Sequence, residues 1–167
     1  MSRALLVIDV QNDVVNPTFN RDDIVSTIVG LVDRARSDGT PVVWVQHNDP
    51  WLVVDSQDWQ IVDELTPAPG EARIDKQYRS SFEDTDLADV LAGVDELIVC
   101  GAETNYCIRH TIHAALERGY SVTLVGDAHT CTADDAERVI AEQNANFARY
   151  ELPGRVARVR QAAEVFA

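Results

Sequence analysis

Lysine is almost absent from this chain. One of its 14 basic side chains is a lysine, Lys76; 28 acidic groups oppose them, and the formal net charge is −14. So few cations argue against DNA or RNA as a partner, because phosphate binding needs clustered Lys and Arg. The acidity serves solubility. Long apolar runs are missing too. None approaches the ~18 residues of a membrane span. The opening Met1-Ser2-Arg3-Ala4-Leu5 leads into too brief an apolar stretch for a signal peptide. No membrane association is expected. Cysteine is scarce: Cys100, Cys107 and Cys131 are odd in number and form no C-x-x-C. That argues against a disulfide framework or a zinc knuckle and makes a reducing cytoplasm the expected location. The eight glycines include no pair two apart, so neither G-x-G-x-x-G nor a P-loop can be drawn. His110 and His113 sit three apart with no carboxylate at a metal-binding spacing, and His47 with Asp49 is a weaker pair. No cofactor and no metal are therefore expected.

What is present is an α/β pattern. A length of 167 residues suits one domain, 1–167. With 46% hydrophobic and 25% charged residues the chain is globular. Ala4–Ile8, Pro41–Val45, Glu96–Cys100 and Ser121–Val125 are short, β-branched apolar runs. They do not alternate, as expected of parallel strands buried on both faces. Ala72–Lys76 and Arg155–Val159 are weaker candidates. Helical spacing appears at Ile24, Ile28, Leu31, Val32 and Ala35, and again at Ile108, Ile112, Ala115 and Leu116. Leu87, Val90 and Leu91 mark a short helix, and Ala136 to Phe147 a longer one ahead of Pro153-Gly154. The alternation predicts a mostly parallel sheet with helices on both sides. Residues 48–71 form the one long irregular stretch, and such loops are usually functional or mobile.

In sheets of this kind ligands bind beyond the carboxyl ends of the strands, where strand order reverses. That rule gathers Asp9, His47, Lys76, the segment Gly101–Cys107, and Asp127 with His129 after the fifth strand. Thr104 or Asn105 is a plausible N-cap, placing Cys107 in the first turn of a helix. Its N–H is then free to meet an oxyanion, and the helix dipole with Lys76 favours a thiolate. The alternative for Cys107 is a small buried hydrophobe, as expected for Cys100 and also for Cys131. Asp9 follows five apolar residues, so it is either a structural ion pair or a base that takes the thiol proton. Lys76 supplies what Arg lacks, a compact ammonium with three donors, to hold Asp9 and Cys107 in register; the alternative is a surface lysine.

These residues resemble the isochorismatase-like cysteine hydrolases over nearly the whole chain. Four motifs carry the resemblance: D-x-Q-N-D at Asp9–Asp13, a lysine followed by S-x-F at Lys76 and Ser80–Phe82, G-x-x-T-x-x-C at Gly101–Cys107, and D-A at Asp127-Ala128. The resemblance implies a three-layer α-β-α, Rossmann-like fold with a six-stranded parallel sheet in the order 3-2-1-4-5-6. It implies a triad of Asp9, Lys76 and Cys107, a cis peptide at Ala102–Glu103, and an oxyanion hole from the N–H groups of Glu103 and Cys107. It also implies homo-oligomers, dimer or tetramer, and hydrolysis of amide-like C–N bonds. Isochorismatases proper do not use the cysteine. Metal-binding nicotinamidases carry an Asp-x-His pair where this chain reads Gln46-His47-Asn48-Asp49-Pro50-Trp51, so neither activity is favoured.

The expected function is cysteine-dependent hydrolysis of a small amide through a thioester. Phe19, Trp51, Tyr78, Phe82 and Tyr106 are the expected aromatic pocket walls, with His47 as a polar contact. The alternative is a redox-sensing or ligand-binding protein on the same scaffold.

Overall fold

The computed structural model describes residues Met1–Ala167. Seven strands form one sheet: β1 (Arg3–Ile8), β2 (Val42–His47), β3 (Ala72–Lys76), β4 (Glu96–Ala102), β5 (Ser121–Thr130), β6 (Glu151–Leu152) and β7 (Arg155–Arg160). Their order is β3-β2-β1-β4-β5-β7-β6. All pairings are parallel except β6 with β7. The first five strands follow the expected 3-2-1-4-5 order, and β7 takes the expected sixth place. The extra strand is the two-residue β6. Pro153 and Gly154, whose φ is 79°, turn the chain tightly enough to lay Glu151-Leu152 back on β7.

The apolar runs divide by pleat. Ala4, Leu6 and Ile8 pack on one face with Leu87 of helix α3 (Leu87–Val90) and with Leu91 just after it. Ile112, Ala115 and Leu116 of α4 (Arg109–Glu117) and Phe147 of α5 (Ala136–Ala148) join them there. Leu5 and Val7 pack on the other face under α2 (Arg21–Asp38), which buries Ile24, Ile28, Leu31, Val32 and Ala35. Two further four-residue helices are α1 (Asn12–Val15) and α6 (Ala162–Val165). No helix is long and apolar enough to cross a membrane.

Two departures from the sequence pattern shape the site. β5 runs on through Thr130, so Asp127 and His129 lie within the strand and not beyond it. Its pairing with β4 shifts register between Val99 and Gly101. At that shift Gly101 adopts a φ of 121°, and a Cβ there would fall 2.0 Å from the Ile8 carbonyl oxygen. Only glycine lets β4 pass so near the end of β1.

The 48–71 stretch is docked along half its length. Asn12 and Asp13 N–H groups donate to the carbonyls of Gln60 and Asp58, and Val62 N–H donates to Val10 O. Leu52, Trp59, Val62 and Leu65 are buried, whereas Trp51, Val53 and Val54 project into solvent. Glu71 closes the stretch. Its carboxylate accepts two bonds from Arg36 (2.8 and 3.0 Å), one from Trp44 Nε1 (2.7 Å) and one from Ala68 N–H (2.8 Å). The Arg36 guanidinium holds this carboxyl down at about 2; burial opposes it, and the Ala68 and Trp44 hydrogen bonds help to outweigh burial.

A folded-state pKa below the unfolded one stabilises above the unfolded value and is lost as pH falls through the folded value. Glu71→Gln is therefore expected to cost about 2 kcal/mol at pH 7. The gap to wild type closes between pH 4.5 and about 2. Urea denaturation of both proteins across that range checks it.

Candidate active site

The centre of the sheet assembles the site. Ile8 pairs with Val45 on one side and Gly101 on the other, so whatever follows β1 meets the ends of β2 and β4. Asp9 follows, with a φ of 54°. Aspartate is among the few residues that enter this left-handed region without great cost. His47 and Lys76 are direct cross-strand partners at the ends of β2 and β3. After β4 the Ala102–Glu103 peptide is cis, and residues Thr104–Ile108 form a π-helical turn that carries Cys107. An α-helical first turn was the sequence expectation. Instead the Ile108 N–H reaches back five residues to the Glu103 carbonyl at 3.1 Å.

Lys76 is the hub. Its side chain is 0% exposed, and a bare ammonium there would cost several kcal/mol. Four acceptors surround Nζ: Asp9 Oδ2 at 3.0 Å, Tyr78 O at 3.0 Å, His47 Nδ1 at 3.0 Å and Cys107 Sγ at 3.2 Å. Burial alone would lower the pKa of Lys76. The Asp9 carboxylate, then Cys107, outweigh it and raise the pKa, so the ammonium persists. The other Asp9 oxygen, Oδ1, is buried without a hydrogen-bond partner. Buried polar atoms are rarely left so.

Cys107 departs from the expected thiolate. Burial pushes its thiol up to about 12, the Asp9 carboxylate adds to the rise, and Lys76 only partly opposes it. The resting group is a thiol held on the Lys76 ammonium under the influence of the Asp9 carboxylate.

A cavity of about 250 Å³ opens on Asp9, His47 and Cys107 and is also lined by Asp13, Glu103 and Tyr106. The Glu103 side chain is tied back by Thr132, whose N–H and hydroxyl donate to Oε1 at 2.9 and 2.6 Å. The Glu103 N–H has no acceptor within the chain. Of the expected pocket walls, His47 and Tyr106 line this cavity. Tyr78 contributes its carbonyl to Lys76 while its ring is exposed. Trp51 is 86% exposed, on the free part of the 48–71 stretch. Phe19 faces a separate groove with Asp134 and Asp135. Phe82 is buried in the core and stacked on Tyr120 at 5.8 Å. The turn before it, fixed by Ser81 on the Thr111 hydroxyl at 3.0 Å, carries it away from the cavity.

Three supporting sets of contacts were not expected from the sequence, although His47, Asp49, Thr104 and His129 were each named there. Gln11 grips the His47 backbone at both ends, donating to its carbonyl (2.9 Å) and accepting from its N–H (2.8 Å). It also donates to Trp59 O at 2.9 Å. Thr104, in the π-turn, meets buried His129 Nδ1 at 2.8 Å, and His129 Nε2 meets Asn144 Oδ1 at 2.8 Å. Burial holds His129 down at about 4, so it stays neutral. Asp49 meets His47 Nε2 at 3.3 Å. The signal for Gln11 was present in D-x-Q-N-D, but its partners are far away in sequence.

Comparison with known proteins adds a lineage. The family model described as the isochorismatase domain matches residues 3–156. A streptothricin hydrolase from Streptomyces noursei is 34% identical over 178 aligned positions, 98% of this chain and 64% of that protein. Another streptothricin hydrolase match covers 54% of its partner, so this chain spans about 54–64% of the length of those relatives. A cysteine hydrolase from Pseudomonas syringae superposes with a TM-score of 0.88 at 26% identity, covering 98% of this chain and 90% of that one. An N-carbamoylsarcosine amidase from Thermoplasma acidophilum gives 0.81 at 25%, covering 99% of each.

The charge arrangement fixes an expectation for Cys107. Its alkylation by iodoacetamide, mapped by mass spectrometry, should show an apparent pKa well above the ~8.5 of a free thiol. In Asp9→Asn, with fold verified by circular dichroism, that midpoint should fall because the neighbouring negative charge is gone. A wild-type midpoint at or below a free thiol's overturns the assignment.

Proposed function

Since this chain belongs to the isochorismatase family, we propose that it is a cysteine-dependent hydrolase of small amide or related C–N bonds, working through a thioester. The observation that carries the reading is the buried Lys76 ammonium holding the Asp9 carboxylate at 3.0 Å and the Cys107 sulfur at 3.2 Å, with the other Asp9 oxygen left without a partner. A base needs a free lone pair near the proton it takes. The hydrolase and amidase names among the relatives support amide-type chemistry.

The steps follow from the geometry. A substrate carbonyl enters the cavity and Asp9 Oδ1 accepts the thiol proton. The sulfur then attacks the carbonyl carbon, and Lys76 stabilises the charge leaving Asp9 and arriving on sulfur. The N–H groups of Glu103 and Cys107 receive the oxyanion. Protonated Asp9 returns its proton to the departing nitrogen, the C–N bond breaks, and a thioester remains on Cys107. Asp9 next takes a proton from water, which attacks the thioester. The acid leaves, and the proton returns to sulfur. A thiol that ionises only when a substrate is seated is consistent with the raised pKa of the resting group. The redox-sensing reading lacks such support, because sensor cysteines are thiolates at rest.

The test is a panel of small primary amides and N-carbamoyl compounds, scored for released amine or ammonia and for an acyl mass on Cys107. Turnover with a trapped Cys107 adduct is expected. Cys107→Ala and Asp9→Asn should each lose about 10³-fold or more in kcat/KM. Turnover that survives Cys107→Ala would rule the thioester out.

A further inference from the structure

We propose that His47 is a positioning residue for Lys76: oriented by Asp49, it presents an unprotonated Nδ1 to the ammonium, and its protonation disarms the site.

The argument begins with a proton count. An ammonium has three donors, and four acceptors crowd Nζ within 3.2 Å. His47 Nδ1, at 3.0 Å from Nζ, can sit there only without a proton of its own. The ring proton then lies on Nε2, facing Asp49 Oδ2 at 3.3 Å. Asp49 is itself fixed, because its Oδ1 accepts the N–H groups of Trp51 and Leu52, both at 2.8 Å. The His47 backbone is fixed by Gln11. Imidazole and carboxylate are thus both immobilised, and the series Asp49, His47, Lys76 runs from the surface inward to Asp9 and Cys107.

While Cys107 is a thiol, its sulfur is the weakest of the four acceptors, and the three protons fall to Asp9, Tyr78 O and His47. When sulfur becomes anionic, one proton must turn to it. His47 is the side-chain acceptor best placed to yield, since it lines the cavity and, unlike Asp9, carries no negative charge that holds the ammonium. Its neutral nitrogen aims the ammonium without competing with the charge on sulfur.

The charged and titratable groups facing His47 are Lys76 from β3, Asp9 after β1, Asp49 after β2, and Cys107 from the π-turn; Asp13, Glu103 and Tyr106 share the cavity. Burial, then Lys76, lower the His47 pKa; Asp9 and Asp49 oppose them without cancelling the fall. His47 is therefore neutral at neutral pH and gains its proton only on acidification. A protonated Nδ1 would then point at Nζ with like charge, and the Lys76 geometry is lost. The acid limb of activity should report His47 and not a carboxylate.

The role in turnover rests on the hydrolase reading, but the first measurement needs no substrate. In ¹⁵N-histidine-labelled protein, assigned by its loss in His47→Asn, His47 should appear as the Nε2–H tautomer. Its midpoint should lie below the usual 6.5. That midpoint should fall further in Asp49→Asn and rise in Lys76→Met. An Nδ1–H tautomer, or a midpoint at or above 6.5, overturns the proposal whether or not any amide is hydrolysed. With an amide that turns over, the acid limb of kcat/KM should coincide with the NMR midpoint. In His47→Asn, whose Oδ1 stands in for Nδ1 without titrating, that limb should move to lower pH, and more activity should survive at neutral pH than in His47→Ala. His47→Ala should lose activity across the whole range. An acid limb unmoved in His47→Asn sinks the proposal and leaves the hydrolase reading intact. Absence of turnover on every amide counts against the hydrolase reading alone.

Discussion

A fully enclosed ammonium is a demanding tenant, and the centre of this molecule is arranged around meeting the demand. Lys76 has no water to solvate it, so protein groups must bring carboxylate, carbonyl, imidazole and sulfur to within 3.2 Å. Those groups come from the ends of β1 and β2, the segment after β3 and the turn after β4. The ion pair with Asp9 therefore acts as a keystone for four chain segments. Deleting one partner of such a buried pair typically costs about 3–5 kcal/mol, because the other is stranded. Stability and chemistry are tied at this point: the ammonium whose burial Asp9 offsets also holds the Cys107 sulfur, and one Asp9 oxygen stays unengaged.

The surrounding structure reads as the means of holding that contact. Gly101 allows β4 to press against the Ile8 carbonyl, which brings the Cys107 turn beside Asp9. Gln11 joins the loop after β1 to the end of β2 and to the docked half of the 48–71 stretch. His129 and Asn144 steady Thr104 from beneath the π-turn. Gln11, Thr104 and His129 are fully buried polar side chains with hydrogen-bond partners, the condition under which such networks rigidify rather than weaken a core.

The strands were legible because doubly buried parallel strands are unbroken apolar runs, and the first polar residue after each run marks the sheet's carboxyl edge. Asp9 could be found that way without coordinates, whereas Lys76 ends a run already broken by Arg73 and Asp75 and stood out as the one lysine. The seventh strand could not, since two residues have no periodicity and exist only through the turn at Pro153-Gly154. Phe82 misled because nearness to Lys76 in sequence implied nearness to the cavity, whereas the Ser81–Thr111 bond turns the chain away. The resting state of Cys107 was beyond reach for a different reason. Its sign depends on burial and on two opposite charges at unequal influence, and sequence supplies neither depth nor distance. The Asp49–His47–Lys76 series was hidden likewise, because β3 lies nearly thirty residues beyond β2 and only their register makes His47 and Lys76 neighbours.

The burial of Lys76 has a consequence outside the site. With its one lysine committed to the interior, the folded protein offers no side-chain amine to solvent. Glycation, acylation and isopeptide linkage at lysine have no exposed target on this surface, whatever the concentration of the modifying agent. An acyl group on Lys76 would be the mark of a molecule whose core had opened, so lysine-directed labelling reads the unfolding of this protein and nothing else about it.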